Sequence, residues 1–132
     1  MKTRISPGQF KLEILKLYNT VNQEIFGIGI RSQRVEIMED RVFIYATHKR
    51  IQPLKVLDES QRLLTRILDI AIIEENKAML AERLEKHLHL PVKVIFRDYD
   101  PRTEEALTVI VFMENLESWA NEAGNRVSTE AL

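Results

Sequence analysis

A long segment in the second half of the chain contains neither glycine nor proline, and this limits the folds available to the molecule. It reads "DESQRLLTRILDIAIIEENKAMLAERLEKHL", from Asp58 to Leu88. Asp58 and Gln61 resemble a capping box, and Pro91 disfavours helical geometry at the residue before it. The sequence therefore predicts one helix of about 30 residues, about 45 Å long. A six-residue strand spans only about 20 Å, so this helix extends beyond any sheet it packs on.

The apolar residues of this helix form two different patterns. At about 100° per residue, the first turns are apolar nearly all round, which is typical of a buried helix. These residues are Leu63, Leu64, Ile67, Leu68, Ile70, Ala71, Ile72 and Ile73. After Glu74 the apolar stripe narrows to Leu80, Leu84 and Leu88, so the two halves face different neighbours. The alternative is a kink near Glu74 that folds the helix back as a compact monomer.

The rest of the chain predicts a second helix and two hairpins. Ser6 and Pro7 provide an N-cap and an N1 proline for a helix that ends at Phe26, before Gly27. Two strands, "RVEI" and "RVFIYAT", form a first hairpin, Pro53 begins one helical turn, and "VKVIFRD" and "ALTVIVFM" form a second hairpin. The order α-β-β-α-β-β favours an α+β fold with a four-stranded, mostly antiparallel sheet and both helices on one face. We expect a single domain over residues 1–116 and a partly mobile tail over 117–132.

Composition restricts the classes of function. The chain has 132 residues, 45% of them hydrophobic and 30% charged, with a net charge of −1 and no cysteine. Its longest apolar run is far shorter than the ~20 residues that a bilayer requires, so we expect no direct membrane insertion. The first ten residues contain no apolar signal core, and we therefore expect a cytoplasmic protein without a disulfide framework or a thiolate metal site.

Histidines and carboxylates are the candidates for a metal site. His87 and His89 diverge by about 200° on a helix and cannot share a metal ion, and no motif links them to His48. We interpret the pair as the end of the long helix, where cations favour the negative end of the dipole. Asp98 and Asp100 are consistent with a solvated turn, and an enzyme with a divalent metal ion held by these two carboxylates is a further alternative. No catalytic motif is present, so we expect no enzyme activity, no cofactor and no metal.

Basic residues gather around the first hairpin, beside Phe43 and Tyr45 on one face of its second strand. They are Arg31, Arg34, Arg41, Lys49 and Arg50. Basic side chains around sheet aromatics occur in single-strand RNA binders, so a nucleic-acid-binding module is the alternative function. Acidic residues share the hairpin and the net charge is negative, so we expect any such binding to be weak.

Three segments together carry a resemblance to a known family. They are "VNQEIFGIGIRSQRVEIMEDRVFIYA", "IQPLKVLDESQRLL" and "ERLEKHLHLPVKVIFRDYDPRTEEALTVIVF". In this order they resemble a small bacterial family labelled as the C component of a sodium-translocating, membrane-potential-generating system. The chain has Gly-Ile-Gly-Ile at 27–30 where the family pattern has Gly-Arg-Gly-Pro, and no catalytic residue carries over. The resemblance implies a soluble accessory partner of a membrane ion-transport system.

The apolar surface of the long helix predicts self-association. A closed two-fold contact uses the same patch twice and leaves none exposed. We therefore expect a homodimer, with an interface that contains Leu64, Leu68, Ile72, Phe43 and Tyr45. Further apolar side chains are expected to remain without a partner on the back of helix 1 and on the second sheet face; these are Leu12, Leu15, Ile110 and Phe112.

Overall fold

The computed structural model describes residues 5–116, which form three helices and a four-stranded antiparallel sheet. In chain order the elements are α1 (Pro7–Phe26), β1 (Ser32–Met38), β2 (Arg41–Thr47), α2 (Gln52–Ser60), α3 (Arg62–Leu88), β3 (Val92–Asp100) and β4 (Glu105–Phe112). The α+β class and the antiparallel sheet are confirmed, with one helix more than expected. The expected tail at 117–132 lies outside the described residues.

The sheet has the strand order β1-β2-β4-β3, so the two hairpins meet at β2 and β4. Val42 lies opposite Ile110 in this pair, and both side chains are buried on the face that α1 and α3 cover. We call this the inner face. Phe43 and Tyr45 alternate with the buried residues of β2 and lie, partly exposed, on the outer face.

Local signals in the sequence set the bounds of α1. The Ser6 side chain accepts a hydrogen bond from the Gln9 backbone N–H at 3.1 Å, and Pro7 occupies the first helical position. Gly27 adopts a left-handed conformation with φ 72°, and its N–H donates to the Gln23 carbonyl oxygen. This helix begins and ends where the sequence predicts.

The expected long helix is two helices. Gln61 has φ −133° and ψ 48°, so it separates α2 from α3, and Asp58 belongs to α2 rather than to an N-cap of the long helix. From Arg62, α3 then continues for 27 residues, about 40 Å, without a break at Glu74. The kink that we considered as an alternative does not occur. No helix within residues 5–116 combines the length and the apolar character that crossing a membrane requires.

The core lies between the inner face and the two longer helices. Phe10, Ile14, Tyr18 and Val21 of α1 pack with Leu80 and Leu84 of α3 against the sheet. The expectation that Ile110, Phe112 and Leu15 lack a partner is wrong, because all three are buried in this core. Ile110 and Phe112 alternate with the outward-facing residues of β4 and therefore face the helices. Leu12 is exposed, as expected.

Candidate functional site

The first half of α3 presents an apolar surface to solvent. Five large apolar side chains between Leu63 and Ile70 have exposed fractions from 37% to 74%. We call these residues the α3 stripe: Leu63, Leu64, Ile67, Leu68 and Ile70. Within residues 62–75 only Thr65 is buried. Of the predicted interface residues on this helix, Leu64 and Leu68 therefore lie in the exposed stripe, whereas Ile72 is half-buried.

The other two predicted interface residues lie elsewhere. Phe43 and Tyr45 belong to the outer face of the sheet, near the exposed side chains of Phe96 and Leu107. Because the helices cover the inner face, this surface and the α3 stripe are on opposite sides of the sheet. The predicted interface residues thus form two separate surfaces.

The predicted basic patch is largely neutralised. Carboxylates pair with Arg31, Arg34 and Arg41, through Glu104 at 3.7 Å, Glu36 at 3.4 Å and Asp40 at 2.9 Å respectively. The guanidinium carbon of Arg34 also lies 4.2 Å from the centre of the Tyr45 ring. Lys49 is exposed. Arg50 is buried and does not belong to the surface at all, so the hairpin offers few free cations to a phosphate backbone.

A pocket separates the first half of α3 from the sheet. The space between its lining atoms, which includes open solvent at the mouth, is about 480 Å³. Side chains from α1, α3, β3 and the segment after β2 line it, and they are both apolar and polar. The lining residues that matter below are Phe26, Ile28, His48, Lys49, Arg50, Asp69, Ile72, Ile73, Arg97 and Tyr99.

One wall of the pocket is an ion cluster around Arg50. The Arg50 guanidinium donates two hydrogen bonds to Asp58, at 2.9 and 2.8 Å, and two to Asp69, at 2.6 and 3.0 Å. Its side chain is only 4% exposed. Burial lowers the pKa of Arg50, but the hydrogen bonds to the two carboxylates outweigh burial and raise it. The cluster therefore stays ionised and joins the end of β2 to both α2 and α3.

The backbone beside this cluster is also fixed. The Glu104 carboxylate accepts a hydrogen bond from the Arg50 N–H at 2.7 Å, and this bond lowers the pKa of Glu104. Glu104 has φ 65°, a conformation uncommon outside glycine, and its carbonyl oxygen accepts from the His48 N–H. The turn between β3 and β4 thus holds the segment that follows β2.

The second wall is a network around Arg97, a residue of β3 on the inner face. Arg97 donates long hydrogen bonds, of 3.3 to 3.4 Å, to four uncharged oxygens. These belong to Tyr18, Asn22, Asn76 and Thr108. No carboxylate of residues 5–116 forms an ion pair with Arg97, in contrast to Arg50.

The Tyr18 hydroxyl connects this network to His48. It accepts from Arg97 and lies 2.8 Å from His48 Nε2, so we assign its proton to the bond with that nitrogen. Neutral His48 then carries its own proton on Nδ1. Burial, with Arg97 nearby, lowers the pKa of His48 to about 4. Burial also raises the pKa of Tyr99, the next aromatic ring, to about 12. Both groups are uncharged near neutral pH.

The other candidate metal residues do not gather into a site. His89 is the C-cap of α3, with φ 55°, and His87 Nδ1 lies 3.0 Å from the Arg83 carbonyl oxygen. The end of the helix therefore falls at this pair, as the sequence indicates. Asp100 accepts backbone hydrogen bonds from Arg102 and Thr103 in the turn. Within residues 5–116, no three His, Asp or Glu side chains come together as metal ligands.

A comparison of the chain with protein-family models, with curated proteins and with solved structures finds no match. The fold, the α3 stripe and the pocket define an α+β protein with an exposed apolar helix surface and a partly polar pocket on the other side of that helix. Sequence reasoning missed the pocket. The only signal for it was Arg97, a charged residue among apolar ones in a strand whose Ile95 and Tyr99 share its face.

Proposed function

We propose that this protein is a cytoplasmic, non-enzymatic protein that acts through contacts with other proteins, beginning with a second copy of itself. The observation that carries this proposal is the α3 stripe, five large apolar side chains exposed on one helix. Monomeric proteins rarely expose a contiguous apolar patch of this kind unless it binds something. The stripe is contributed by a continuous helix, so its shape does not depend on a loop.

A second copy fits this surface for a geometric reason. Leu64, Ile67 and Ala71 are exposed and follow one another by three and four residues, the spacing of helices that pair side by side. The small side chain of Ala71 permits close approach of a second helix. In a two-fold dimer the α3 stripe of each copy packs against the α3 stripe of the other, so both are covered.

Charge favours an antiparallel arrangement of the two helices. Arg62 and Arg66 lie at the first end of the α3 stripe, and Glu74 and Glu75 lie just beyond its other end. An antiparallel pair brings the basic end of one helix next to the acidic end of the other, whereas a parallel pair brings like charges together. These charges are solvent-exposed, so they contribute to orientation more than to affinity.

Light scattering at micromolar concentration tests the dimer. We expect a mass twice the 15.4 kDa of the chain, and a mass of one chain for the double variant Leu64→Glu, Leu68→Glu. The matched control is Leu12→Glu, the same change at an exposed leucine of α1, which is expected to leave the dimer intact. A wild-type mass of 15.4 kDa that neither variant changes would contradict the proposal.

The partner beyond the second copy is a membrane ion-transport system, as the family resemblance implies. Support comes from the three segments that carry that resemblance, which occupy residues 21–46, 51–64 and 82–112. We expect genes for the membrane subunits of such a system to lie beside the gene for this protein. We also expect the purified subunits to bind the wild-type chain directly. Purified subunits that bind neither this chain nor its dimer-breaking variant would remove this part of the proposal.

A further inference from the structure

The pocket contains a cation, Arg97, that no carboxylate of residues 5–116 neutralises. Arg97 is half-buried, and its four hydrogen-bond acceptors are uncharged oxygens at 3.3 to 3.4 Å. Hydrogen bonds from arginine to carboxylates are usually shorter, about 2.7 to 2.9 Å. The guanidinium is thus held in place by the protein but keeps the capacity to bind an anion.

The neighbouring groups do not remove this charge. Asp69, the acidic residue of the pocket, shares its carboxylate with Arg50, which also binds Asp58. His48 and Tyr99 are uncharged, and Lys49 adds a second cation at the pocket. An anion in this space would therefore meet one unpaired guanidinium and one ammonium group, with its nearest carboxylate already committed to Arg50.

A further donor is present beside Arg97. With the Tyr18 proton directed to His48 Nε2, the neutral ring carries its N–H at Nδ1, which makes no hydrogen bond to another described residue. The buried side-chain polar atoms of residues 5–116 that lack a partner are Asn19 Oδ1 and Gln33 Oε1, so His48 Nδ1 keeps contact with water. An oxygen of a ligand in the pocket would replace that water as the acceptor.

The remaining walls are apolar. Phe26 and Ile28 line the pocket from the end of α1 and the turn after it, and Ile72 and Ile73 line it from α3. Apolar walls with a few placed polar groups are typical of small-molecule sites. These walls suit an organic anion with an apolar chain better than inorganic phosphate, which has no apolar part to bury.

From this arrangement we infer that the pocket binds a small monocarboxylate with an apolar chain, whose carboxylate pairs with Arg97 and whose chain lies against Ile72 and Ile73. The planar fork of arginine fits the two oxygens of a carboxylate. The ligand site is separate from the α3 stripe, because Ile72 and Ile73 are on the half-buried side of the helix and the stripe is on the exposed side.

Hexanoate is a suitable probe, with hexanamide as its uncharged analogue. We would titrate each into the ¹⁵N-labelled full-length protein and follow the backbone amides by NMR. Hexanoate is expected to bind saturably, with Kd below about 1 mM, and to shift the amides of His48, Ile72 and Arg97. Hexanamide is expected to bind at least about tenfold more weakly, because it lacks the charge. This comparison uses the wild-type protein and does not depend on the folding of a variant.

Two variants then identify the cation. Arg97→Gln is expected to weaken hexanoate binding by about tenfold or more. Lys93→Gln removes an exposed cation from the same strand and is expected to leave Kd within about twofold. The inference is overturned if hexanoate does not saturate, if hexanamide binds equally well, or if folded Arg97→Gln binds like the wild type. Tighter binding of inorganic phosphate than of hexanoate would overturn the assignment to carboxylates.

Discussion

The two halves of α3 carry apolar side chains in different numbers and lie in different surroundings. The second half has a narrow stripe, Leu80 and Leu84, which is fully buried against α1 and the sheet. The first half has more apolar residues, yet five of them are exposed. The number of apolar residues on a helix therefore does not decide how much of it is buried. Burial depends on whether another element reaches that part of the helix.

The two halves are also attached to the rest of the protein in different ways. Apolar packing holds the second half, and the Arg83–Glu24 ion pair at 2.8 Å joins it to α1 at the surface. The first half is attached by Asp69, which binds Arg50, and by its contact with α2, beside the buried Thr65. A helix segment held by one polar cluster can present its other sides to a partner. This difference leads to four predictions, given in order of decreasing effect.

Replacing a leucine by alanine is expected to change the free energy of unfolding much more in the second half of α3 than in the first. Leu84→Ala leaves a cavity in the core and is expected to lower the free energy of unfolding by about 2 to 5 kcal/mol. Leu63→Ala, at an exposed position, is expected to change it by less than about 0.5 kcal/mol in the single chain. Urea denaturation at a protein concentration where light scattering shows one chain measures both. Equal losses would mean that the first half is packed as tightly as the second.

Acid is expected to destabilise the protein at the pocket beside α3, where His48 is buried against Tyr18 and Tyr99 and near Arg97. The pKa of His48 is about 4 when folded and about 6.5 when unfolded, so only the unfolded chain takes up a proton between these values. The stabilisation is complete above pH 6.5 and decreases as the pH falls to 4, by about 3 kcal/mol in total. Denaturation at a series of pH values measures this slope.

Two variants assign the slope to one histidine. His48→Gln keeps an acceptor for the Tyr18 hydroxyl but cannot be protonated. The slope between about pH 6.5 and 5.5, above the range in which carboxylates titrate, is therefore expected to disappear. His87→Gln, at an exposed position of α3, is expected to keep it. Retention of the slope in folded His48→Gln would show that another group causes it.

Loss of the Arg50 cluster is expected to increase local unfolding in the first half of α3 more than in the second half. Arg50→Met leaves Asp58 and Asp69 without their shared cation, and we expect a loss of about 2 to 3 kcal/mol, because both carboxylates keep some contact with water. Hydrogen exchange is expected to accelerate at the amides of residues 62–73 and much less at 80–88. Arg34→Met, which removes an exposed ion pair, is the control. Uniform acceleration along α3 would contradict separate attachment.

The smallest effect is expected at the end of the second half. His89 adopts φ 55°, which costs a residue with a Cβ about 1 kcal/mol, and its side chain is exposed. His89→Gly is therefore expected to stabilise the protein by about 0.5 to 1 kcal/mol, as measured by its melting temperature. His87→Gly, inside the last turn, is expected to destabilise it by a similar amount. A loss of stability in both variants would show that His89 makes a contact that outweighs the backbone strain.

The sequence by itself determined the features that depend on neighbouring residues. Ser6, Pro7 and Gly27 set the bounds of α1, and alternation along β2 placed Val42 and Phe43 on opposite faces. The excess of apolar residues in the first half of α3 also predicted a helix that its own sheet does not cover. These signals act over a few residues, through capping, backbone conformation and periodicity, so they can be read without knowing how the elements pack.

Only the tertiary structure decided where the distant polar residues meet. The sequence predicts Asp58 as an N-cap. Its carboxylate instead accepts a hydrogen bond from Arg50, which also donates to Asp69. Arg97 meets Tyr18, 79 positions away in the chain, because the sheet and α1 pack face to face. Such contacts join side chains from several elements, and no local pattern specifies them. The pocket therefore arises from packing, since its walls come together only after the helices have covered the inner face of the sheet.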